Sequence, residues 1–247
     1  MSTALVYPQL GTGAIGQFPV ERKRKLRTVV NRSADGHVVT LADPAGAVTE
    51  WNLQYAGLTD AELATLEAFF AAAEGTLNSF TFVDPVGNLL AWSAQFSNEV
   101  WVKGPQLTVS GQQITNAGAG AQSITQTLAA PSGYLYCLSA QVKAAAATTV
   151  TMMIGNQSAA RAVGTDWSTI VFAASGDPTF GLELAAGAAV DVAWMQAEPQ
   201  ASPSVYQAST TGGVYENARL GDDSLAITTT DVNCHSCTVK VIHAEHL

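Results

Sequence analysis

Along residues 58–85, LTDAELATLEAFFAAAEGTLNSFTFVDP, apolar positions recur first at helical spacing and then at every second residue. Leu63, Leu66, Phe69, Phe70 and Ala73 share one helical stripe. Thr59 is placed as the N-cap and Glu62, three residues on, completes a capping box in which each side chain satisfies the other's free N–H. Leu58 and Leu63 are spaced as a hydrophobic staple, and Gly75 is placed to end the helix in a left-handed conformation. The pattern predicts a helix over 60–74. Phe80 and Phe82 then alternate with Thr81 and Val83, predicting a strand over 79–83, and Asp84-Pro85-Val86-Gly87-Asn88 reads as a turn.

Elsewhere the period is two. Leu26–Val30 and His37–Leu41 flank the turn Asn31–Gly36 as a hairpin, and Glu50–Tyr55 alternates as a third strand. In the tail, Ser224–Thr230 and Thr238–His243 are predicted strands joined by a turn over Asp231–Cys237. A hairpin alone is not stable in water. Residues 1–96 lack the strands to close their own sheet, so the expected arrangement is one discontinuous, β-barrel-like domain, 1–96 with 214–247, carrying one packed helix.

Between these parts, residues 97–208 are rich in Ala and Thr, with strands expected at Gln106–Ser110, Ser123–Leu128, Tyr134–Lys143, Thr149–Ile154, Ser168–Ala173, Thr179–Leu184 and Val190–Gln196. Short strands at that spacing predict an inserted antiparallel β-sandwich, or jelly roll. Residues 209–213 are the exit linker. Insertion into a loop is cheap, because closure entropy grows only logarithmically with length. The expected fold class is mostly β.

Composition narrows function mainly by exclusion. Hydrophobic residues make up 47% of the 247, enough for a real core, while 13% are charged, about half the usual share. The net charge of −9 is spread evenly, so no segment offers the basic excess that nucleic-acid binding needs. No apolar run approaches the ~20 residues of a membrane span. The chain opens without a basic region followed by an apolar core, so no signal peptide is expected. Three cysteines argue against a disulfide framework.

Two resemblances emerge from these residues. Over roughly 7–92, a strand pair, a WxLxY strand (Trp51, Leu53, Tyr55), the helix with its paired Phe, and FxFxDP resemble the N-terminal domains of distal or minor tail proteins of long-tailed bacteriophages. Over 97–208, Tyr134, Ala140–Ala144, Trp167 and Val190–Glu198, followed by Ser202-Pro203-Ser204-Val205-Tyr206, are similar to carbohydrate-binding-module-like jelly rolls of phage tail proteins. Those often end in a Q-x-E strand and a small-residue–Tyr exit; here Pro199 replaces a more usual Gly after Glu198. Together the resemblances imply a structural virion protein of the tail tip or baseplate, made in the host cytoplasm. It would be a homo-oligomeric ring, a hexamer in that family, joining the tail tube protein to the tip hub protein and displaying a peripheral binding domain. The rivals are a module that recognises host cell-surface glycans and a tail-associated cell-wall hydrolase.

Candidate chemistry is sparse. Alternation sends Tyr136, Leu138, Ala140, Val142, Val150, Met152 and Ile154 inward and Gln141, Lys143, Thr151, Met153 and Glu183 the other way. Gln141, Lys143 and Glu183 are candidate carbohydrate hydrogen-bonders, with Trp194 or Trp101 as the stacking platform. Arg22, Lys23, Arg24 and Lys25 form the one basic cluster, either a solvated edge or an assembly contact. Cys234, Cys237, His243 and His246 carry zinc-type ligand chemistry, but a hairpin turn of a large domain needs no metal, and no cofactor is expected. No nucleophile elbow, phosphate loop or HExxH occurs, so no catalysis is expected.

Overall fold

The computed structural model describes residues 5–245 and divides into two compact units. The first comprises Met1–Pro8, Gly16–Phe82 and Tyr215–Leu247, the second Gln9–Ile15 and Val83–Val214. Strands are numbered along the whole chain. The first unit holds β1 (Glu21–Arg32), β2 (Val38–Leu58), the helix α1 (Asp60–Ala73), β3 (Phe80–Val83), β14 (Val214–Leu220), β15 (Ile227–Asp231) and β16 (Cys234–Ala244). The second holds β4 (Val102–Lys103), β5 (Leu107–Ser110), β6 (Gln113–Asn116), β7 (Gln122–Thr127), β8 (Leu135–Lys143), β9 (Thr148–Ile154), β10 (Gln157–Val163), β11 (Ser168–Ser175), β12 (Thr179–Leu184) and β13 (Ala189–Glu198). The mostly β, antiparallel fold with one helix is as the sequence predicts.

In the first unit the sheet runs β1-β2-β16-β14-β3, with β15 also on β16. Among the described residues the end strands β1 and β3 do not pair with each other, so the barrel-like closure expected from the sequence does not form; β3 is flanked instead by Val6, in a parallel bridge with Thr81. The strand expected at 50–55 is the second half of one long strand: β2 pairs with β1 from Val38 and with β16 from Val48. The capping box is present, with Thr59 accepting the Glu62 N–H and the Glu62 carboxylate accepting the Thr59 N–H. Glu74, at φ 51, is the C-cap, and Gly75, at φ 62, follows it in the left-handed conformation expected of it. The helix buries Leu66, Phe69 and Ala73, and the Phe69 ring meets Tyr7 at 5.0 Å and Phe80 at 4.9 Å, both edge-on. Trp51 packs on Phe82 and Tyr215, and the Tyr7 and Tyr55 hydroxyls share a 2.8 Å hydrogen bond.

The second unit is a sandwich of two five-stranded sheets, β10-β9-β12-β7-β4 and β11-β8-β13-β6-β5. Tyr136, Leu138, Ala140, Val142, Val150, Met152 and Ile154 are all buried, as alternation predicts. Residues 83–96, expected with the first domain, group with this unit for a visible reason. The Asn88 amide donates to Met195 O at 3.0 Å, Leu89 N–H to Ala197 O at 2.9 Å and Met195 N–H to Ser93 O at 2.9 Å. That segment therefore runs along the half of β13 that β6 leaves unpaired. Gln9 likewise ties 9–15 here, exchanging hydrogen bonds with Leu135 N–H and C=O.

Candidate functional site

The outward face of the sheet β11-β8-β13 concentrates polar and aromatic groups. Register places Cys137 beside Glu198, Ser139 beside Gln196, Gln141 beside Trp194 and Lys143 beside Asp191, with Thr169, Val171 and Ala173 of β11 on the other flank. A bulge at Val192/Trp194 restores the alternation that keeps Trp194, Gln196 and Glu198 on this outward side.

Half of that face is covered by the chain that leaves β13. Glu198 is 2% exposed and accepts from Gln196 Nε2 at 2.9 Å, from Ser204 N–H at 3.0 Å and from Ser204 Oγ at 2.5 Å. Gln196 accepts the Gln207 N–H at 2.7 Å. Tyr206 lies flat on Trp194, with ring centroids 4.5 Å apart and planes 9° from parallel, and its hydroxyl meets Ser93 Oγ at 3.0 Å. The Q-x-E strand and the small-residue–Tyr exit are therefore two halves of one clasp that holds residues 200–207 over the sheet. Under that strap the Cys137 thiol is buried and pushed up to about 12, first by desolvation and then by the negative charge of Glu198. It is a structural group, not a nucleophile.

The other half is open. Lys143 Nζ stands 4.8 Å from the centroid of the Trp167 ring and 3.8 Å from Asp191 Oδ2. Trp167 is 39% exposed, and Gln141, two residues before Lys143 on the same face of β8, is half-buried. An indole face, an amide, an ammonium and a carboxylate thus share one solvent-facing strip. The Lys143–Asp191 pair contributes little stability at such exposure, ~0–1 kcal/mol, so both groups are available to a ligand at small cost.

Of the four predicted carbohydrate residues, the structure brings Gln141, Lys143 and Trp194 onto one face. Glu183 lies on β12, in the opposite sheet, and faces outward there beside Ser123 and Thr151. It does not join the other three. Trp194 is a platform already occupied, by Tyr206. Trp101 is a core residue, 1% exposed, donating its indole N–H to Trp92 O and packing on Phe96. Sequence reasoning passed over Asp191 and gave Trp167 no role; the signal for Trp167 was a large aromatic in the turn Gly164-Thr165-Asp166-Trp167, where a core residue has no place.

In the first unit, Arg22, Lys23, Arg24 and Lys25 lie on β1, an end strand of the sheet. Arg24 pairs with Glu245 at 2.8 Å and Lys25 with Glu50, whose carboxyl it holds below the usual range, chiefly by hydrogen bonding. The register breaks between Lys25 and Arg27, where β2 carries the extra residues between Asp43 and Val48. Cys234 and Cys237 lie on β16, not in a turn: the turn is Val232-Asn233, with Asn233 at φ 56. Three residues apart on a strand, the two thiols point to opposite faces. Among the described residues no group of three or more His, Cys, Asp or Glu is arranged to hold a metal; His246 lies outside them. No described helix is long and apolar enough to cross a membrane.

No family model matches the chain, and no curated protein matches it. Among solved structures, the second N-terminal cellulose-binding domain of Cellulomonas fimi β-1,4-glucanase C is similar at 13% identity, covering 48% of this chain and 98% of that one, with a TM-score of 0.35. The CBM22-1 xylan-binding domain of Paenibacillus barcinonensis Xyn10C matches at 19% identity, over 47% and 97%, with a TM-score of 0.33. The enzymatically active domain of bacteriophage CBA120 tailspike protein 4 matches at 17% identity over 47% of this chain and 22% of that one, with a TM-score of 0.34. At these scores the likenesses carry no function, which has to be argued from the residues.

Proposed function

We propose that the chain is a non-catalytic binding protein whose sandwich unit holds a glycan on the open strip of β11-β8-β13. The observation that carries this reading is the solvent-open Trp167 beside Lys143, which also meets Asp191 and shares its face of β8 with Gln141. A sugar ring offers an apolar C–H face for stacking and a rim of hydroxyls that both donate and accept; the strip supplies an aromatic face, two donors and a carboxylate acceptor. The test is a glycan array followed by calorimetry on the full chain. Trp167→Ala should weaken binding at least about tenfold, a loss of ~1.4 kcal/mol. Gln141→Ala and Lys143→Ala should each weaken it several-fold, while Glu183→Gln leaves it unchanged. Absence of glycan binding, or a Trp167→Ala protein that binds like the parent, would sink the reading.

A second reading concerns what carries the module. The pattern over 7–92 supports a structural virion protein at the distal end of a phage tail, forming a ring between tail tube and tip hub, with the sandwich displayed at its periphery. The open end strand β1, which leaves sheet hydrogen-bonding groups unused, favours an assembly role for the first unit. Immunogold labelling of intact virions tests it: decoration of the tail tip is expected, and unlabelled tails refute it.

A further inference from the structure

Residues 26–43 form a two-stranded ribbon, because β16 pairs with β2 only from Val48 onward. Val29, paired with Leu41, and Val39, paired with Asn31, share one face; Val30 and Val38 lie on the other. Leu41 and Val39 are each 53% exposed, Val30 54% and Val38 49%. A lone hairpin is marginal in water, and apolar groups bare on both its faces mark a surface meant to be covered. Charge does guard β1 at its base, through Arg22 to Arg27, and at Arg32, but the stretch Thr28–Asn31 and the facing Val39–Ala42 carry no charge at all.

Charge also indicates the occupant. Arg22, Lys23, Arg24, Lys25, Arg27 and Arg32 are six of the chain's 11 basic residues, so the rest of the surface is strongly acidic. The end of α1 is an extreme case. Its last turn has no basic residue, although a helix C-terminus already carries partial negative charge. Glu67 and Glu74 lie one heptad apart on the same face, and Asp223, next to Asp222, accepts the Thr76 N–H at 2.8 Å. Arg219 answers part of this by donating to the Thr76 and Leu77 carbonyls. Beside these acids Leu77 is 61% exposed, an apolar complement to the ribbon's valines.

We propose that the ribbon docks on the acidic C-terminal end of α1 in a second copy of this chain. The contact is head-to-tail, so repetition gives a ring or a filament. It does not depend on the glycan reading; it rests on the ring reading of the first unit and names the two surfaces that meet.

Sedimentation velocity of the full chain, from low micromolar to about 100 µM at low salt, tests the proposal. Concentration-dependent association is expected, weakening as salt rises. The double variant V39E/L41E should abolish it at an unchanged melting temperature, since both side chains already face water. Lys23→Glu with Arg32→Glu should weaken it at least about tenfold. Combining that pair with Glu67→Lys and Asp222→Lys should restore it. A chain that stays monomeric at the highest concentration, or V39E/L41E that associates like the parent, overturns the proposal. Failure of the charge swap to restore association removes the helix end as the receptor and overturns it equally.

Discussion

Removing the Glu198 carboxylate should release the strap from the sandwich. Three donors converge on that side chain from Gln196 and Ser204, and Gln200 Nε2 adds a fourth at 3.1 Å. Hydrogen bonds to a charged acceptor contribute about 1.5–3 kcal/mol each, and a buried donor left without a partner costs about 1–3 kcal/mol. Gln200 and Ser204 Oγ stand near enough to water to recover most of their loss. The buried Gln196 amide would keep only long contacts, 3.5 Å to Ser204 O and Val205 O, and the Ser204 N–H would lose a part-buried bond, which sets the gross penalty at ~3–5 kcal/mol. Against this, a carboxylate buried without a cation already carries a desolvation cost that truncation removes. The net expectation for Glu198→Ala is ~2–4 kcal/mol of destabilisation, and about 2 kcal/mol for Glu198→Gln, whose new amide would point a donor at donors. Urea unfolding followed by tryptophan fluorescence reads this directly, because Trp194 loses its Tyr206 partner when the strap lifts. Limited proteolysis should show new cleavage between 199 and 209. If Glu198→Ala unfolds within about 0.5 kcal/mol of the parent and the strap stays uncut, the clasp is a geometric coincidence and the reasoning fails.

Two further outcomes follow from the first unit. Phe69→Ala should cost ~3–5 kcal/mol, because the ring is buried against Tyr7 and Phe80, whereas Phe70→Ala, at a half-buried position, should cost under ~1.5 kcal/mol; equal costs in thermal or urea melts would show the helix seated on a different face. His243 has its pKa lowered, first by burial and against the opposing pull of Glu245 and a backbone hydrogen bond at Glu216. The unfolded chain therefore takes up the proton first, so stability should fall as pH drops below about 6.5 and level off once the folded pKa is passed. His243→Gln should flatten that slope in a pH series of melts, and an unchanged slope would remove His243 as its source.

What could be read beforehand follows from where local signals are strong. The helix was legible because its cap, Thr59, its stripe and its stop, Gly75, all sit within seventeen residues and agree. Seven sandwich strands were legible from alternation, but β4 (VK), β6 (QITN) and β10 (QSAARAV) were not, since two residues make no pattern and small and polar residues give a strand no apolar face to detect. In the tail, β14 (VYENARL) was missed because its apolar residues do not alternate cleanly. The long β2 was cut in two by Pro44 and Gly46, which normally end strands; here they fall where the register against β1 breaks and so cost no ladder bonds. Sites fared worse than strands. Alternation assigns a side chain to the inside or the outside, but it does not say which sheet's outside. That is why Glu183 could be grouped with Gln141 although the two lie on opposite faces of the sandwich.

The same limit explains the Q-x-E motif. Gln196 and Glu198 have the amide-and-carboxylate chemistry of a sugar site, and they lie on the outward face with Gln141 and Lys143. Yet both are buried, and their polar atoms are spent on Ser204 and Gln207 of their own chain. Burial decides the assignment: a ligand would have to displace a strap that already satisfies these groups, whereas Trp167, Lys143 and Asp191 ask for no such exchange. What is left open reaches from Trp167, across Lys143 on β8, to Asp191 on β13. With neighbouring strands about 4.8 Å apart, that strip is about 10 Å across, room for about two sugar rings. Affinity should therefore rise from a monosaccharide to a disaccharide and gain little from further units, unless the strap lifts to extend the floor.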